Sequence, residues 1–406
     1  MAGSSAGVGG RSCRAIEWSL AHTRWRSSAR KMYLTQLRLV NLRNHRRTEL
    51  QLAQGVNVFV GANAQGKSTV LEAVELAATG RSPRATRETE LITWGESWAR
   101  VHVTSRRAER DEEVDLAFRQ DASSPRGDGT WREIRVNGVP ARRGELFGHL
   151  LCVAAGPADA EVSAGSPAFR RRLVDVLLAQ ISPAYYYTAT RYARALLQRN
   201  RVLRAKAGAA ADLDPWDDQV AALGAAVTLR RRDLVTRLAV AAGRIYRELS
   251  GGREELAVTY AANLSGADEA ELVRTAKAAM AAQRQAERAR GRTLVGPHRD
   301  EITLEVDRRL LRLYGSRGQQ VAAALALRLA ERELLREETG EDPVLLLDDV
   351  MMTLDERRQG QLIAFARGAQ VLITVTTLAA LAALPAEAAV FPVTGGTVEA
   401  QRAHLA

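Results

Sequence analysis

Lysine is scarce in this chain of 406 residues: four lysines stand against 54 arginines among its 58 basic residues. Cysteine is scarcer still, and Cys13 and Cys152 give neither a disulfide framework nor the spacing of a metal site. That usage fits a reducing, cytoplasmic setting. The six histidines are scattered, which offers no metal cluster. No apolar run reaches the ~18 residues that mark a membrane-spanning helix, so a membrane is not expected among the partners. What remains is a mixture of apolar and charged residues suited to one large globular domain or two.

One of the four lysines is Lys67, in GANAQGKST (61–69), directly after the apolar run VNVFV (56–60). The spacing Gly61, four residues, Gly66, Lys67, Ser68 matches the P-loop pattern. The apolar run predicts a buried strand. The glycines permit backbone turns that a Cβ obstructs. The loop N–H groups then cradle phosphates at a helix N-terminus. Lysine supplies a compact charge for the β/γ-phosphates where the planar fork of arginine fits poorly, and the Ser68 hydroxyl is placed for Mg²⁺. Gly61, Asn63, Gln65, Gly66, Lys67, Ser68 and Thr69 are the expected ATP-binding residues. The helix after them should stop at Gly80.

The net charge is +11. Residues 1–31 hold six basic groups and one acid, a net +5, which leaves +6 on 32–406. A basic balance suits an acidic partner such as nucleic acid, although the arginine skew and high alanine content also point to genomic composition. Residues 1–31 lack a periodic apolar face and the apolar core of a secretory signal. The expectation is a disordered extension, with a basic arm touching nucleic acid as the alternative, and Met32 as an alternative start.

From Met32 the text alternates like a meander, and it does so again at 98–104, 113–119 and 131–139. Residues 32–160 therefore read as a β-rich lobe around the P-loop unit. Residues 161–290 are rich in Ala, Leu and Arg with helical periodicity and read as a helical arm. In 291–406, RTLVGPHRDEITLEV (292–306) reads strand, turn, strand. GSRGQQVAAALALRLAERELLREE (315–338) reads as a long helix, and PVLLLDDV (343–350) and QVLITVTT (370–377) as buried strands. The order implies α/β architecture.

Asp348 and Asp349 end the strand PVLLLDDV. Beside a P-loop, Asp348 is the expected Mg²⁺-associated acid and Asp349 the expected general base for the attacking water. About 280 residues separate Lys67 from Asp348, so the arm must interrupt a nucleotide fold whose halves reunite. GSRGQQ (315–320) opens a helix that offers a second anion site. The P-loop already holds the chain's own nucleotide. The second site therefore invites a partner copy, with Ser316 and Gly318 directed at the γ-phosphate on the facing subunit. An ordinary helix N-cap at Ser316 is the competing reading.

Taken in order, these elements resemble the ABC-type heads of the SMC-like ATPases, and within them the RecF family. The matching stretches include MYLTQLRLVNLRNH (32–45), GANAQGKST, LEAVELAATGRSPR (71–84) and GSPAFRRRLVDVLLAQISPAYY (165–186). They continue through LLQRNRVL (196–203), GPHRDEI (296–302), YGSRGQQ (314–320) and PVLLLDDV. The resemblance implies an ABC-type P-loop head, with a mixed β-sheet, flanking helices and a β-rich lobe, interrupted by a helical arm insertion. It implies ATP and Mg²⁺ as cofactors and slow, DNA-linked ATP hydrolysis without nuclease activity. It implies an ATP-dependent homodimer on single-stranded DNA or gapped or junction duplex, at the nucleoid. RecO and RecR are the implied partners in RecA loading, replication restart and SOS induction. It assigns Ser316, Gly318 and Gln319 to the signature acting in trans, and Asp355 to the end of the loop after the catalytic acid.

There are departures from the family pattern. Met352 and Thr353 replace a serine and a glutamate in that loop, Arg317 replaces a glutamine, and Ala158 and Ala160 enter a usually acidic stretch. They mark a divergent member and put communication between the two ATP sites in question. DNA contacts are expected from Arg81, Arg84 and Arg87 beside the P-loop helix, and from Arg170, Arg171, Arg172, Arg199 and Arg201 on the arm. The alternatives are a divergent SMC-like ATPase of the OLD or phage-defence type, and a DNA-binding scaffold that holds ATP and hardly hydrolyses it.

Overall fold

The computed structural model describes residues 32–108, 110–121, 129–205, 213–381, 387–399 and 401–402. The expected N-terminal extension, 1–31, lies outside the described residues. Among the described residues no helix is long and apolar enough to cross a membrane.

The alternating opening forms β1 (Met32–Leu42) and β2 (His45–Gln51), paired antiparallel. The chain leaves for β3 (Val56–Val60) and α1 (Lys67–Thr79). It then returns to the first sheet through β4 (Trp98–Arg107), β5 (Arg110–Gln120), β6 (Thr130–Val136) and β7 (Val139–Pro140). The strand order is β2-β1-β4-β5-β6-β7. Period-2 patterning turns Leu37, Val101, Leu116 and Phe118 inward. The outer face is covered with ion pairs such as Arg38–Glu49 and Arg100–Asp115. This is the expected β-rich lobe.

A short strand, β8 (Cys152–Ala155), starts a second sheet and the arm follows. It consists of α2 (Ala160–Ala164), α3 (Pro167–Ile181), α4 (Pro183–Arg204), α5 (Asp214–Ser250), β9 (Leu256–Ala261) and α6 (Glu269–Arg290). Pro183 opens α4 in the first turn, where its missing N–H costs nothing. The 37 residues of α5 run ~55 Å at 1.5 Å per residue.

After the arm come β10 (Glu301–Val306), β11 (Arg309–Leu310), α7 (Leu311–Tyr314) and α8 (Arg317–Thr339). Then follow β12 (Val344–Leu347), α9 (Glu356–Phe365), β13 (Val371–Val375), β14 (Ala389–Thr394) and β15 (Thr397–Val398). The second sheet runs β15-β14-β3-β13-β12-β8, and from β14 to β8 every pairing is parallel. The runs VLLL and VLITV are buried throughout, as a sheet covered on both faces requires. Strands from both ends of the sequence thus form one sheet, which is the interrupted ABC-type head.

Three sequence expectations change. The arm is not wholly helical: β9 lies inside it and pairs with β10, Leu256 opposite Val306, so one small sheet crosses the expected boundary at 290/291. Of 292–306 only Glu301–Val306 is strand; Thr293, Leu294 and Val295 are buried but join no ladder. The head sheet also continues past 370–377 into β14.

The GPHRDEI segment holds arm and head together. Arg231 on α5 donates to the carbonyl of Pro297 at 2.7 Å and pairs with Asp175 on α3 at 2.8 Å. Asp300 accepts from the Asn263 amide at 2.7 Å and from the Tyr260 hydroxyl. Along the other side of α5, Arg237 pairs with Glu338 and Arg244 with Glu333, both on α8.

Candidate active site

The P-loop sits where β3 gives way to α1. A Cβ on Gly61 would lie 2.3 Å from the carbonyl of Val393 on β14, and one on Gly66 would lie 2.5 Å from His45 Nε2. Gly66 also has φ 110°, in the region that favours glycine. Lys67 is nearly buried, and its Nζ donates to the carbonyls of Gly61 and Ala62 at 2.8 and 2.9 Å. The ammonium therefore spans the loop from within.

The chain's two halves meet at Ser68. Its Oγ donates to Asp348 Oδ1 at 2.7 Å, across 280 positions of sequence. Thr374 on β13 donates to the same oxygen at 2.8 Å and accepts the Asp349 amide at 2.8 Å. Asp349 has φ 51°, a left-handed conformation uncommon outside glycine and one that functional sites often hold. Burial raises its proton affinity above the ordinary carboxylate range, the Asp348 charge raises it further, and Lys67 opposes. Ionised, Asp349 is then a stronger base than a solvated carboxylate. The Ser68 hydroxyl and Asp348 carboxylate are hard oxygen donors within reach of one small cation, which fits Mg²⁺ completed by phosphate oxygens.

The other loop residues divide. Asn63 is exposed. Thr69 is buried and its amide closes on the Gly66 carbonyl at 3.0 Å. Gln65 accepts the Gly395 amide at 2.6 Å on its side chain and the Gly396 amide at 2.9 Å on its backbone. The β14–β15 turn thus grips the P-loop from behind.

A second brace comes from the β1–β2 turn. His45 is fully buried, with Nε2 3.0 Å from the Gly66 carbonyl and Nδ1 2.8 Å from Thr48 Oγ1. A carbonyl only accepts, so Nε2 carries the proton and Nδ1 accepts from Thr48. Burial lowers the proton affinity of this imidazole and keeps it neutral. Sequence reasoning missed His45 and the Gly395–Gly396 turn; the Gly-Gly pair marks a turn, but nothing local ties either to the P-loop. Thr374 had a signal: it is the polar residue within VLITV.

At the signature, Ser316 caps α8. Its Oγ accepts from the Gln319 amide at 3.2 Å, and Gln319 Oε1 accepts from the Ser316 amide at 2.8 Å. Gln319 Nε2 donates to Glu254 at 2.8 Å. The Gln319 side chain is thereby fully engaged within its own chain. Gly318 is exposed, and a Cβ there would meet only Ser316 Oγ at 3.9 Å. In the loop after Asp349, Met351 is buried, Met352 is half exposed, and Asp355 caps α9 by accepting the Arg358 amide at 2.9 Å.

A family model described as an AAA domain matches residues 36–141. The DNA replication and repair protein RecF of Alkaliphilus oremlandii is 34% identical over 373 residues, covering 91% of this chain and all of the relative. That of Gloeobacter violaceus is 41% identical over 355 residues, covering 86% of this chain and 92% of the relative. The chain belongs to the RecF family. A solved structure of the recombination mediator RecF with ATP, from the RecFOR pathway, superposes with a TM-score of 0.84. It is 30% identical and covers 93% of this chain and 99% of that one. The Smc head of Pyrococcus furiosus, 15% identical with a TM-score of 0.54, covers 91% of this chain and 96% of that one and shares the fold.

In this RecF-family chain the arginines expected on DNA separate. Arg81, Arg84 and Arg87 are exposed beside α1, with Arg84 3.6 Å from Glu72. Arg172 is half-buried; burial, then the nearby charge of Arg81, lowers its proton affinity. Arg143 and Arg132 join this group, and sequence reasoning missed both. Arg143 donates to the carbonyl of Thr79 at 2.9 Å and stands 5.7 Å from the Tyr186 ring centroid. Arg132 donates to the carbonyl of Gly80 at 3.0 Å. Both therefore serve the α1 C-terminus, where cations favour the helix dipole. Burial, together with Arg132, Arg81 and Arg172, pulls Arg143 down to about 10. Arg171 is half-buried and donates to the Asp300 carbonyl at 2.6 Å; Arg201 is exposed at the end of α4.

Two assignments are corrected. Arg170 is buried, pairs with Glu301 at 3.0 Å and donates to the Val162 and Gly165 carbonyls. Arg199 is 0% exposed, held by Asp217 at 2.6 Å, Glu287 at 2.7 Å and Thr293 at 2.9 Å. Neither guanidinium can reach a DNA phosphate. Helical periodicity does not by itself distinguish the inward faces of α3 and α4 from the outward ones.

Proposed function

We propose that this chain is an ATP-dependent DNA-binding protein of recombinational repair. In this reading ATP drives a head-to-head homodimer, and the dimer engages single-stranded DNA or gapped or junction duplex. The observation that carries it is the Ser68–Asp348–Thr374–Asp349 constellation, assembled from both halves of the chain around a P-loop.

In the proposed mechanism the loop amides and Lys67 hold the triphosphate. Ser68 and Asp348 would hold Mg²⁺, which when bound supplies charge neutralisation at the phosphates. Asp349 accepts a proton from the attacking water, and Thr374 fixes that carboxylate's backbone. Ser316 retains a hydroxyl hydrogen and Gly318 an open face, and both are offered to the γ-phosphate on a second copy. Arg81, Arg84, Arg87, Arg172 and Arg143 form the favoured DNA-facing group, with Arg201 more distal. Family membership supports RecO and RecR as partners in RecA loading, replication restart and SOS induction. Slow hydrolysis then releases DNA, and no strand is cut.

The test is binding of a gapped duplex by the full chain, with and without ATP, beside Lys67→Met. Binding that needs ATP and disappears in the variant is the expected result. Binding indifferent to both would overturn the gating. A second reading, a scaffold that binds ATP but hardly turns it over, draws on half-exposed Met352 in the loop after Asp349. Equal turnover in wild type and Asp349→Asn would favour it.

A further inference from the structure

The loop that leaves Asp349 is short: one 3-10 turn, Val350–Thr353, then Leu354 and the α9 cap Asp355. Gln359, one turn into α9, holds this loop from below. The side chain is 6% exposed. Its Nε2 donates to the carbonyls of Met351 at 2.8 Å and Leu354 at 3.3 Å, both in the loop. It also donates to the carbonyl of Ala380 at 3.1 Å, beyond the end of β13. An amide has two N–H groups, so one of them is shared. The loop is thereby tied to the chain that follows β13, the strand whose Thr374 bonds both Asp348 and Asp349. Removing the amide would leave buried carbonyls without a donor.

The other side of α9 grips the arm. At 3.6 residues per turn Arg357 and Gln361 share a face, and Gln359 lies about 200° round from Arg357. Gln361 Nε2 donates to the carbonyl of Glu248 at 2.8 Å, and Arg358 Nε to that of Leu249 at 3.5 Å, both in the last turn of α5. A Cβ on Gly251, where α5 ends with φ 74°, would lie 2.6 Å from the Arg357 guanidinium. These groups bring donors and positive charge to the carbonyls that a helix end leaves unpaired. Gln361 Oε1 is buried with no hydrogen-bond partner among the described residues, which makes this the weaker of the two grips. The far end of α5 carries Asp214 and Asp217, which pair with Arg284 on α6 at 2.6 and 2.7 Å. One helix thus runs from the far end of the arm to the element that holds the loop after Asp349.

We propose that Gln359 is a positioning residue for ATP hydrolysis, fixing the loop that follows Asp349, and that α9 makes this position depend on where the end of α5 lies. The link to the arm rests on the DNA-linked ATPase reading above. DNA that shifts the arm moves the end of α5 against Arg357, Arg358 and Gln361. A ten-residue helix moves as one packed body, so the shift reaches Gln359 and the loop. By linkage, ATP bound beside the loop must bias the arm in return.

The experiment measures ATP turnover and ATP affinity of the full chain, with and without gapped duplex, for Gln359→Leu, Gln359→His and Gln361→Ala. Leucine keeps the volume without a donor, whereas histidine keeps an N–H. Gln359→Leu should lower kcat roughly tenfold, the scale of one lost hydrogen bond, with ATP affinity unchanged. Gln359→His should recover part of the loss, which a filler of the core would not require. Gln361→Ala should keep the basal turnover and the duplex affinity but lose the acceleration that duplex gives wild type. That variant lies on the less buried side of α9 and tests the link whether or not the leucine variant folds. Turnover of Gln359→Leu equal to wild type would overturn the positioning role. Full acceleration of Gln361→Ala would overturn the link to the arm. A wild type that binds duplex without acceleration would do the same, while one that binds no duplex would remove the DNA reading and the link together. Wild-type turnover no faster than that of Asp349→Asn would remove the hydrolysis reading and the role of Gln359 with it.

Discussion

His45 touches no phosphate in the proposed site, yet it holds the Gly66 carbonyl that shapes the loop around one. His45→Ala should weaken ATP binding by roughly tenfold, the scale of one lost hydrogen bond to a preorganised group. Glutamine at 45, which keeps an N–H donor, should recover part of the loss; titration with a fluorescent ATP analogue reads both. Asp349 makes a pH prediction. Its raised proton affinity means the base is lost to protonation at a higher pH than a solvated aspartate would be. ATP turnover should therefore fall on acidification before carboxylates in general titrate, and Asp349→Asn should be slow with that step absent.

At the scale of elements, α1 brings a half-buried acid toward α8. Burial pushes Glu75 up to about 7, against the pull of Arg328 and Arg172 and with the help of Asp159 and Glu72. The folded chain binds this proton more tightly than the unfolded chain. The stabilisation is thus complete below the unfolded value of 4.5 and lost as pH rises through about 7. Glu75→Gln should match wild type near pH 5 and melt higher at pH 8, by roughly 2–4 °C, as calorimetry at the two pH values would detect. In the arm, Arg199→Ala leaves Asp217 and Glu287 without their shared guanidinium. Stripping one partner from a buried ionic cluster costs on the order of 3–5 kcal/mol, and urea unfolding should show that loss. Arg201→Ala, two positions on and exposed, should stay within about 0.5 kcal/mol.

Across the whole molecule, the sheet depends on contacts between distant parts of the chain. The β14–β15 turn bonds Gln65 and lies against Asn44, so removing 389–406 should abolish ATP binding even though every P-loop residue remains. Circular dichroism and ATP titration of the truncated chain would separate loss of the site from loss of the fold. DNA affinity should fall steeply with salt if several arginines meet phosphates. Replacing Arg81 and Arg84 together should reduce that slope, whereas a change at Arg199 should act through stability alone.

The P-loop, the acidic strand end and the interrupted α/β head were legible because each rests on local chemistry. A phosphate cradle needs glycines before a lysine, a buried parallel strand needs an unbroken apolar run, and period-2 alternation gives a half-exposed sheet. The strand β9 escaped because six residues inside a helix-rich stretch carry no signal stronger than their surroundings; only β10, 45 positions on, makes it a strand. Which arginines are surface and which are core was likewise undecided, since the same side chain stands exposed at Arg81 and meets an internal carboxylate at Arg199. The sequence by itself determined the chemistry available, a lysine, a hydroxyl and two acids suited to a nucleotide. Tertiary structure alone decided which groups converge, because Ser68–Asp348, His45–Gly66 and Gln65–Gly395 join segments that attract one another only after the sheet has closed.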